Sequence, residues 1–150
     1  RHLEKYAARC GDAHLHRTGL HDAVLIKDNH LANIRNESLG EFVCTAAERA
    51  RAKHALRFVM IEVDTLEQFD VITSIENGID IVLLDNFSTG ELQEAVARRD
   101  AVNPRLQLEA SGKVTLETIA EIASTGVDRI SCGAITHQAV SVDIGLDADE

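Results

Sequence analysis

The chain has 150 residues, 45% of them hydrophobic, with no Trp and a single Pro, which suits one compact α/β domain with a real core and excludes a disordered tail. Its formal net charge of −10 excludes non-specific nucleic-acid binding, which needs a basic face, so any bound anion must be met by local cations. No stretch reads as a membrane span or secretory leader, and the three cysteines Cys10, Cys44 and Cys132, without CxxC spacing, point to a reducing cytoplasm rather than a disulfide framework.

Residues 1–9 already read as an amphipathic helix in progress, closed by Gly11 after Cys10, which suggests a piece of a longer protein. Ala23–Lys27 reads as a strand whose apolar run Ala23–Ile26 is typical of a parallel strand covered on both faces, and Lys27-Asp28-Asn29-His30 begins where that run stops. Helices over Asn29–Ser38 and Glu41–Ala55 fill the first crossover, with Phe42, Val43, Ala46, Ala47 and Ala50 at helical spacing. Leu56–Val63 is a second strand, Thr65–Asn77 a helix stopped by Gly78, and Asp80–Asp85 a third strand. Glu91–Arg99 reads as a short helix, Arg105–Ala110 as a strand, Thr115–Ser124 as a helix, Asp128–Cys132 as a strand and Val140–Ile144 as a sixth.

Strands that alternate with helices build βαβ units and a parallel sheet with right-handed crossovers. A doubly wound sheet would gather its ligand groups at one switch point behind a Gly-rich turn, and no GxGxxG is present. Instead Lys27, Glu62, Asp85, Ser111 and Gly133 stand at or just past the C-terminal ends of separate strands, 22 to 35 residues apart. Barrel enzymes assemble their sites from such ends. The expected fold is an incomplete parallel, TIM-like β/α barrel over residues 1–150, because six strands do not make eight.

His16 and Arg17 precede the first strand after a Gly-Asp turn, and a chain reversal would bring them beside Lys27. Three such cations suit an anion with carboxylates, since Arg offers a planar fork and Lys a point charge; equally, they could simply solubilise a strand end. Glu62 and Asp85 could hold Mg²⁺ or accept from sugar hydroxyls, whereas Asp64 and Asp85 could instead only begin the helices that follow, beside Thr65 and Ser88 as further caps. Capping does not explain Glu62, a carboxylate inside an apolar run. Ser111-Gly112 and Ser131-Cys132-Gly133-Ala134 offer small residues whose backbone N–H groups can cradle a phosphate. His14, His16, His21 and His30 lack the spacing of a zinc site, and Cys132 near His137 reads better as a buried, inert thiol than as a nucleophile.

Several motifs in order, Leu3-Glu4-Lys5-Tyr6-Ala7, His16-Arg17-x-Gly19-Leu20-x-Asp22, Leu25-Ile26-Lys27-Asp28-Asn29-His30, Glu62-Val63-Asp64, Leu83-Leu84-Asp85-Asn86, Glu109-Ala110-Ser111-Gly112 and Ile130-Ser131-x-Gly133-x-x-Thr136, resemble the C-terminal domain of quinolinate phosphoribosyltransferase. The resemblance implies transfer of a phosphoribosyl group from phosphoribosyl pyrophosphate to quinolinate, with loss of pyrophosphate and CO₂ and formation of nicotinate mononucleotide for NAD synthesis. It implies His16, Arg17 and Lys27 on the quinolinate carboxylates, Glu62 and Asp85 on the ribose hydroxyls and Mg²⁺-pyrophosphate, Ser111, Gly112 and Gly133 on the 5′-phosphate, and a homodimer whose N-terminal domain covers the partner's site. Two stretches depart from the family pattern: Gly11-Asp12-Ala13-His14-Leu15 stands where a glycine-rich approach with an Asn is usual, and Ser111-Gly112-Lys113 replaces Ser-Gly-Gly. The related pyrophosphorylase-like proteins of molybdenum-transport operons, or a non-catalytic barrel module, remain the alternatives.

Overall fold

The apolar runs become strands because each can bury both faces, one under helices and one within the sheet's own second cluster. The computed structural model describes residues 2–137 and 142–146. In it β1 (Val24–Ile26), β2 (Val59–Val63), β3 (Ile81–Asp85), β4 (Gln107–Ser111) and β5 (Arg129–Ile130) form one sheet in the order β1-β2-β3-β4-β5, every neighbouring pair parallel. This consecutive order, with no reversal, lacks the switch point of a doubly wound sheet and is the progression of a barrel wall. The wall is open among the described residues, since β1 and β5 do not pair.

Helices α1 (His2–Cys10), α2 (Asp28–Leu31), α3 (Asn36–Lys53), α4 (Leu66–Thr73), α5 (Thr89–Val102), α6 (Ile119–Ser124) and α7 (Ala134–His137) complete the chain. Leu39 and Val43 of α3, Phe69 and Ile72 of α4 and Leu92 and Ala95 of α5 pack on Ile26, Ile61, Val63, Val82, Leu84, Leu108 and Ala110, forming the main core on one side of the sheet. Alternate residues point the other way. There Ala23, Phe58, Met60, Ile81 and Leu83, with Leu25, make a smaller cluster.

The register arranges that second face in rows. Leu25, Met60, Ile81 and Gln107 stand level across β1 to β4, and Glu62, Leu83, Glu109 and Arg129 stand level across β2 to β5. Lys27, one residue past the Ile26–Ile61 pair, extends the second row, and Asp85 with Ser111 begins a third. The strands thus run from an apolar row to polar ones in the direction of their C-terminal ends.

At the opposite end, aspartates just before the strands hold neighbouring strands in register. Asp80 accepts the Val59 N–H at 2.6 Å and Arg51 at 2.5 Å. Asp128 accepts the Leu108 N–H and Arg99, both at 2.7 Å, while Arg99 also donates to the Leu106 carbonyl at 2.9 Å. Each carboxylate meets one early strand N–H and one guanidinium, and among the described residues no buried side-chain N or O is left unpaired.

Several boundaries differ from the sequence reading. The first crossover breaks at residues 32–35, and α3 continues through Gly40, where a Cβ would sit 3.7 Å from Val71. The burial of Leu39, Val43 and Ala47 against α4 outweighs the roughly 1 kcal/mol helical penalty of one glycine. Helix α4 ends at Thr73 rather than Asn77, because the Thr73 and Ser74 hydroxyls donate back to the Asp70 and Val71 carbonyls. Helix α6 starts at Ile119: Thr115 to Thr118 form a separate turn in which the Thr115 N–H donates to the Thr118 hydroxyl at 3.0 Å. Cys132 falls beyond β5, half-buried, its thiol 3.7 Å from the Val114 carbonyl. Of the expected sixth strand, Val140 and Ser141 lie outside the described residues, and Val142 to Ile144 are in no strand.

Candidate functional site

The capping alternative for the acidic strand ends is decided by local geometry. The Gln68 N–H donates to the Thr65 hydroxyl at 3.2 Å, so Thr65, not Asp64, caps α4. Ser88 caps α5 in a reciprocal box with Glu91, the Ser88 N–H donating to Glu91 Oε2 at 2.8 Å and the Glu91 N–H to Ser88 Oγ at 3.3 Å. Asp64 and Asp85 are therefore released from helix initiation.

Lys27 sits where β1 turns into α2, with extended backbone and its N–H donating to His30 Nδ1 at 2.9 Å. From there its ammonium lies 3.5 Å from Glu62 Oε2. Glu62 is 8% exposed, and burial raises its carboxyl pKa; Lys27 opposes that rise and Asp85 adds to it. Burial also raises Asp64, with Asp28 and Asp85 acting in the same direction and Lys27 against. One ammonium thus faces a group of carboxylates that repel each other, an arrangement that favours a further cation or several hydroxyl donors.

The next strand ends are tied to one another. Asn86 adopts φ 57 and donates its side-chain amide to Asp85 Oδ2 at 2.6 Å and its backbone N–H to the Ser111 carbonyl at 2.9 Å. Gly112 follows with φ +94, and a Cβ there would stand 2.9 Å from the Asn86 nitrogen, so only glycine fits. Asp85, Ser111 and Gly112 are in this way one unit at the ends of β3 and β4. Gly133 lies exposed just before α7, its carbonyl accepting from the Thr136 N–H at 2.9 Å.

The segment before β1 is shaped by Asp22, whose carboxylate accepts both the Thr18 and Gly19 N–H groups at 2.9 Å and Arg57 at 3.4 Å. These bonds, the Thr18 backbone one foremost, hold the Asp22 carboxyl well below the usual carboxylate range. The sequence reading puts His16 beside Lys27; its contacts are with β4, its Nε2 lying 3.9 Å from Glu109 Oε1, and with Phe58 just before β2, its ring edge-on at 6.0 Å. Arg17, half-buried, is close enough to lower the His16 pKa electrostatically.

Glu109 was not singled out as a site residue from the sequence. It is 2% exposed and accepts Arg129 Nε–H at 2.8 Å and the Ser131 hydroxyl. The signal was present: Leu106-Gln107-Leu108-Glu109-Ala110 places a carboxylate inside a strand, as does Ile61-Glu62-Val63.

Chemically, the site offers cations at Arg17 and Lys27 with the His16 imidazole, carboxylates at Glu62, Asp64 and Asp85, and a hydroxyl and tight backbone at Ser111-Gly112. No group of three or more His, Cys, Asp or Glu among the described residues could by itself hold a metal ion. Glu62 and Asp85, close enough for the Asp85 charge to raise the Glu62 carboxyl, are the carboxylates that could hold Mg²⁺, which commonly takes one or two carboxylates and completes its shell with substrate phosphate oxygens. A model of the quinolinate phosphoribosyl transferase C-terminal domain matches residues 1–147.

The chain belongs to this quinolinate phosphoribosyl transferase family. It is 44% identical over 147 residues to the nicotinate-nucleotide pyrophosphorylase [carboxylating] of Mycobacterium leprae, covering 98% of this chain and 49% of that protein. Among solved structures it resembles the nicotinate-nucleotide pyrophosphorylase of Ehrlichia chaffeensis (TM-score 0.75, 40% identity, 97% of this chain and 49% of that one). That of Francisella tularensis is similar too (TM-score 0.73, 37% identity, 89% and 44%). The chain thus spans about half the length of the quinolinate phosphoribosyl transferase relatives it matches. No described helix is long and apolar enough to cross a membrane.

Proposed function

We propose that the chain is the barrel part of an enzyme that joins quinolinate to phosphoribosyl pyrophosphate, releasing pyrophosphate and CO₂ and giving nicotinate mononucleotide for NAD synthesis. The observation that carries this reading is the polar edge of the sheet in a chain of this family: the Lys27–Glu62 pair at 3.5 Å, followed across the sheet by Asp85, Ser111 and Gly112. Cations for a dicarboxylate and acceptors for a sugar then lie on adjoining strand ends, as joining two such substrates requires.

In this reading Arg17 and Lys27, with protonated His16, bind the two carboxylates and orient the pyridine nitrogen toward the anomeric carbon. Glu62 and Asp85 accept the ribose hydroxyls. Ser111, Gly112 and Gly133 donate to the 5′-phosphate and hold the sugar in line. Glu62 and Asp85 would hold Mg²⁺, which when bound would supply charge stabilisation to the leaving pyrophosphate. Lys27 compensates negative charge where decarboxylation of the adduct would leave an electron pair. Residues 1–150 form the catalytic domain, the longer protein supplies its companion domain, and a homodimer closes the site. The setting is cytoplasmic, with Cys10, Cys44 and Cys132 as free thiols.

The test is turnover by the full-length protein. Quinolinate labelled at its carboxyl carbon should release CO₂ only when phosphoribosyl pyrophosphate and Mg²⁺ are both present. Release without phosphoribosyl pyrophosphate, or none under any condition, overturns the reading.

A further inference from the structure

Glu109 occupies the middle of the polar row, level with Leu83 on one side and Arg129 on the other. A carboxylate only 2% exposed is costly unless several donors meet it. Here two groups do so, Arg129 Nε–H at 2.8 Å and the Ser131 hydroxyl, from β5 and just past its end, and His16 Nε2 lies 3.9 Å away, at ion-pair distance, in the segment before β1. Its oxygens are turned to protein rather than left for a substrate, so it acts through its neighbours. The Phe58 ring edge packed against His16 limits the imidazole's other orientations.

We propose that Glu109 is a positioning residue, anchored by Arg129 and Ser131, that faces the His16 imidazole and favours its protonated form against the groups around it, so that the ring can meet the substrate carboxylate. This rests on the proposed function. The other influences on His16 all act the opposite way: burial most strongly, then Arg17, Lys5 and Arg129 favour the neutral ring and together hold it below the ordinary imidazole value, and among these influences Glu109 alone favours the cation. Without that carboxylate the ring deprotonates at lower pH, and a neutral imidazole gives up the charge-assisted contact.

The experiment uses the full-length protein as wild type, Glu109→Gln, and Glu109→Gln/Arg129→Gln, the last removing both charges so that neither is left unpaired. NMR titration of His16 should show its midpoint lower in both variants than in wild type, a readout independent of turnover. Steady-state kinetics should show the quinolinate KM up by roughly two- to tenfold, the equivalent of one hydrogen bond. The phosphoribosyl pyrophosphate KM should be nearly constant, and the rise in quinolinate KM with pH should begin at lower pH than in wild type. An unmoved His16 midpoint in a folded variant, or equal rises in both KM values, overturns the proposal. An inactive wild type would instead overturn the proposed function, while the His16 midpoint would still decide whether Glu109 sets its charge.

Discussion

The two ends of the sheet carry similar residues to opposite purposes. At the N-terminal ends, Asp80 and Asp128 each meet a strand N–H and an arginine at 2.5–2.7 Å, so the charges are consumed by the fold. At the C-terminal ends, Glu62 and Asp64 share one lysine, and burial together with the charges of Asp85 and Asp28 raises both carboxyls. Paired charge at one end fixes register, and under-compensated charge at the other is available to a ligand. This agrees with the division of labour in β/α barrels, where the C-terminal face reacts and the other face stabilises.

Substitutions at the two ends should therefore separate activity from stability. In the full-length protein, Lys27→Met should lower kcat/KM for quinolinate by about 10²–10³, the usual cost of removing one preorganised charge-stabilising group. Its unfolding free energy in urea should change by less than about 1 kcal/mol, since the lysine is 46% exposed and its pair is partly solvated. A large loss of stability with it would erase the contrast. Asp128→Ala should do the reverse and cost about 1–3 kcal/mol in urea unfolding, through an orphaned Leu108 N–H and a buried Arg99 left with Asp100 and one carbonyl. Both KM values should stay near wild type.

A smaller effect of opposite sign at the two ends sharpens the contrast further. Asp22 has a folded pKa below its unfolded one, so its contribution to stability is present above the unfolded value of about 3.9 and is lost as pH falls through the folded value. Glu62 has a folded pKa above its unfolded one, so its ionised form costs stability at neutral pH, and that cost is relieved as pH falls through the folded value. In urea midpoints measured across an acid-to-neutral series, Asp22→Asn should lose stability at neutral pH and flatten the acid limb. Glu62→Gln should hold or gain stability at neutral pH. Parallel changes in the two variants would contradict the difference between the ends.

Much of this division is legible in residue order. Lys27, Glu62, Asp85 and Ser111 follow apolar runs at βα intervals, and period-2 alternation alone puts them on the face of Leu25, Met60, Leu83 and Glu109. What escaped depends on partners distant in sequence. Glu109 follows the same pattern as Glu62, but its meaning comes from Arg129 and Ser131 on the next strand and from His16 far upstream. The position of His16 depends on Asp22 drawing in Thr18 and Gly19, a loop geometry that composition does not encode. The break at residues 32–35 and the passage of α3 through Gly40 depend likewise on packing against α4, which overrides local propensity.

The central claim, that the polar face of the sheet and the segment before β1 read the substrate, is tested most directly at Arg17. Arg17→Lys keeps the charge but loses the planar fork, so in the full-length protein it should weaken quinolinate by about 1.5–3 kcal/mol. Steady-state kinetics with each substrate varied in turn should show phosphoribosyl pyrophosphate nearly unaffected and the thermal unfolding temperature unchanged. Equal weakening of both substrates, or a fall in stability that accompanies the loss of activity, would mean that Arg17 supports the fold and does not recognise the dicarboxylate.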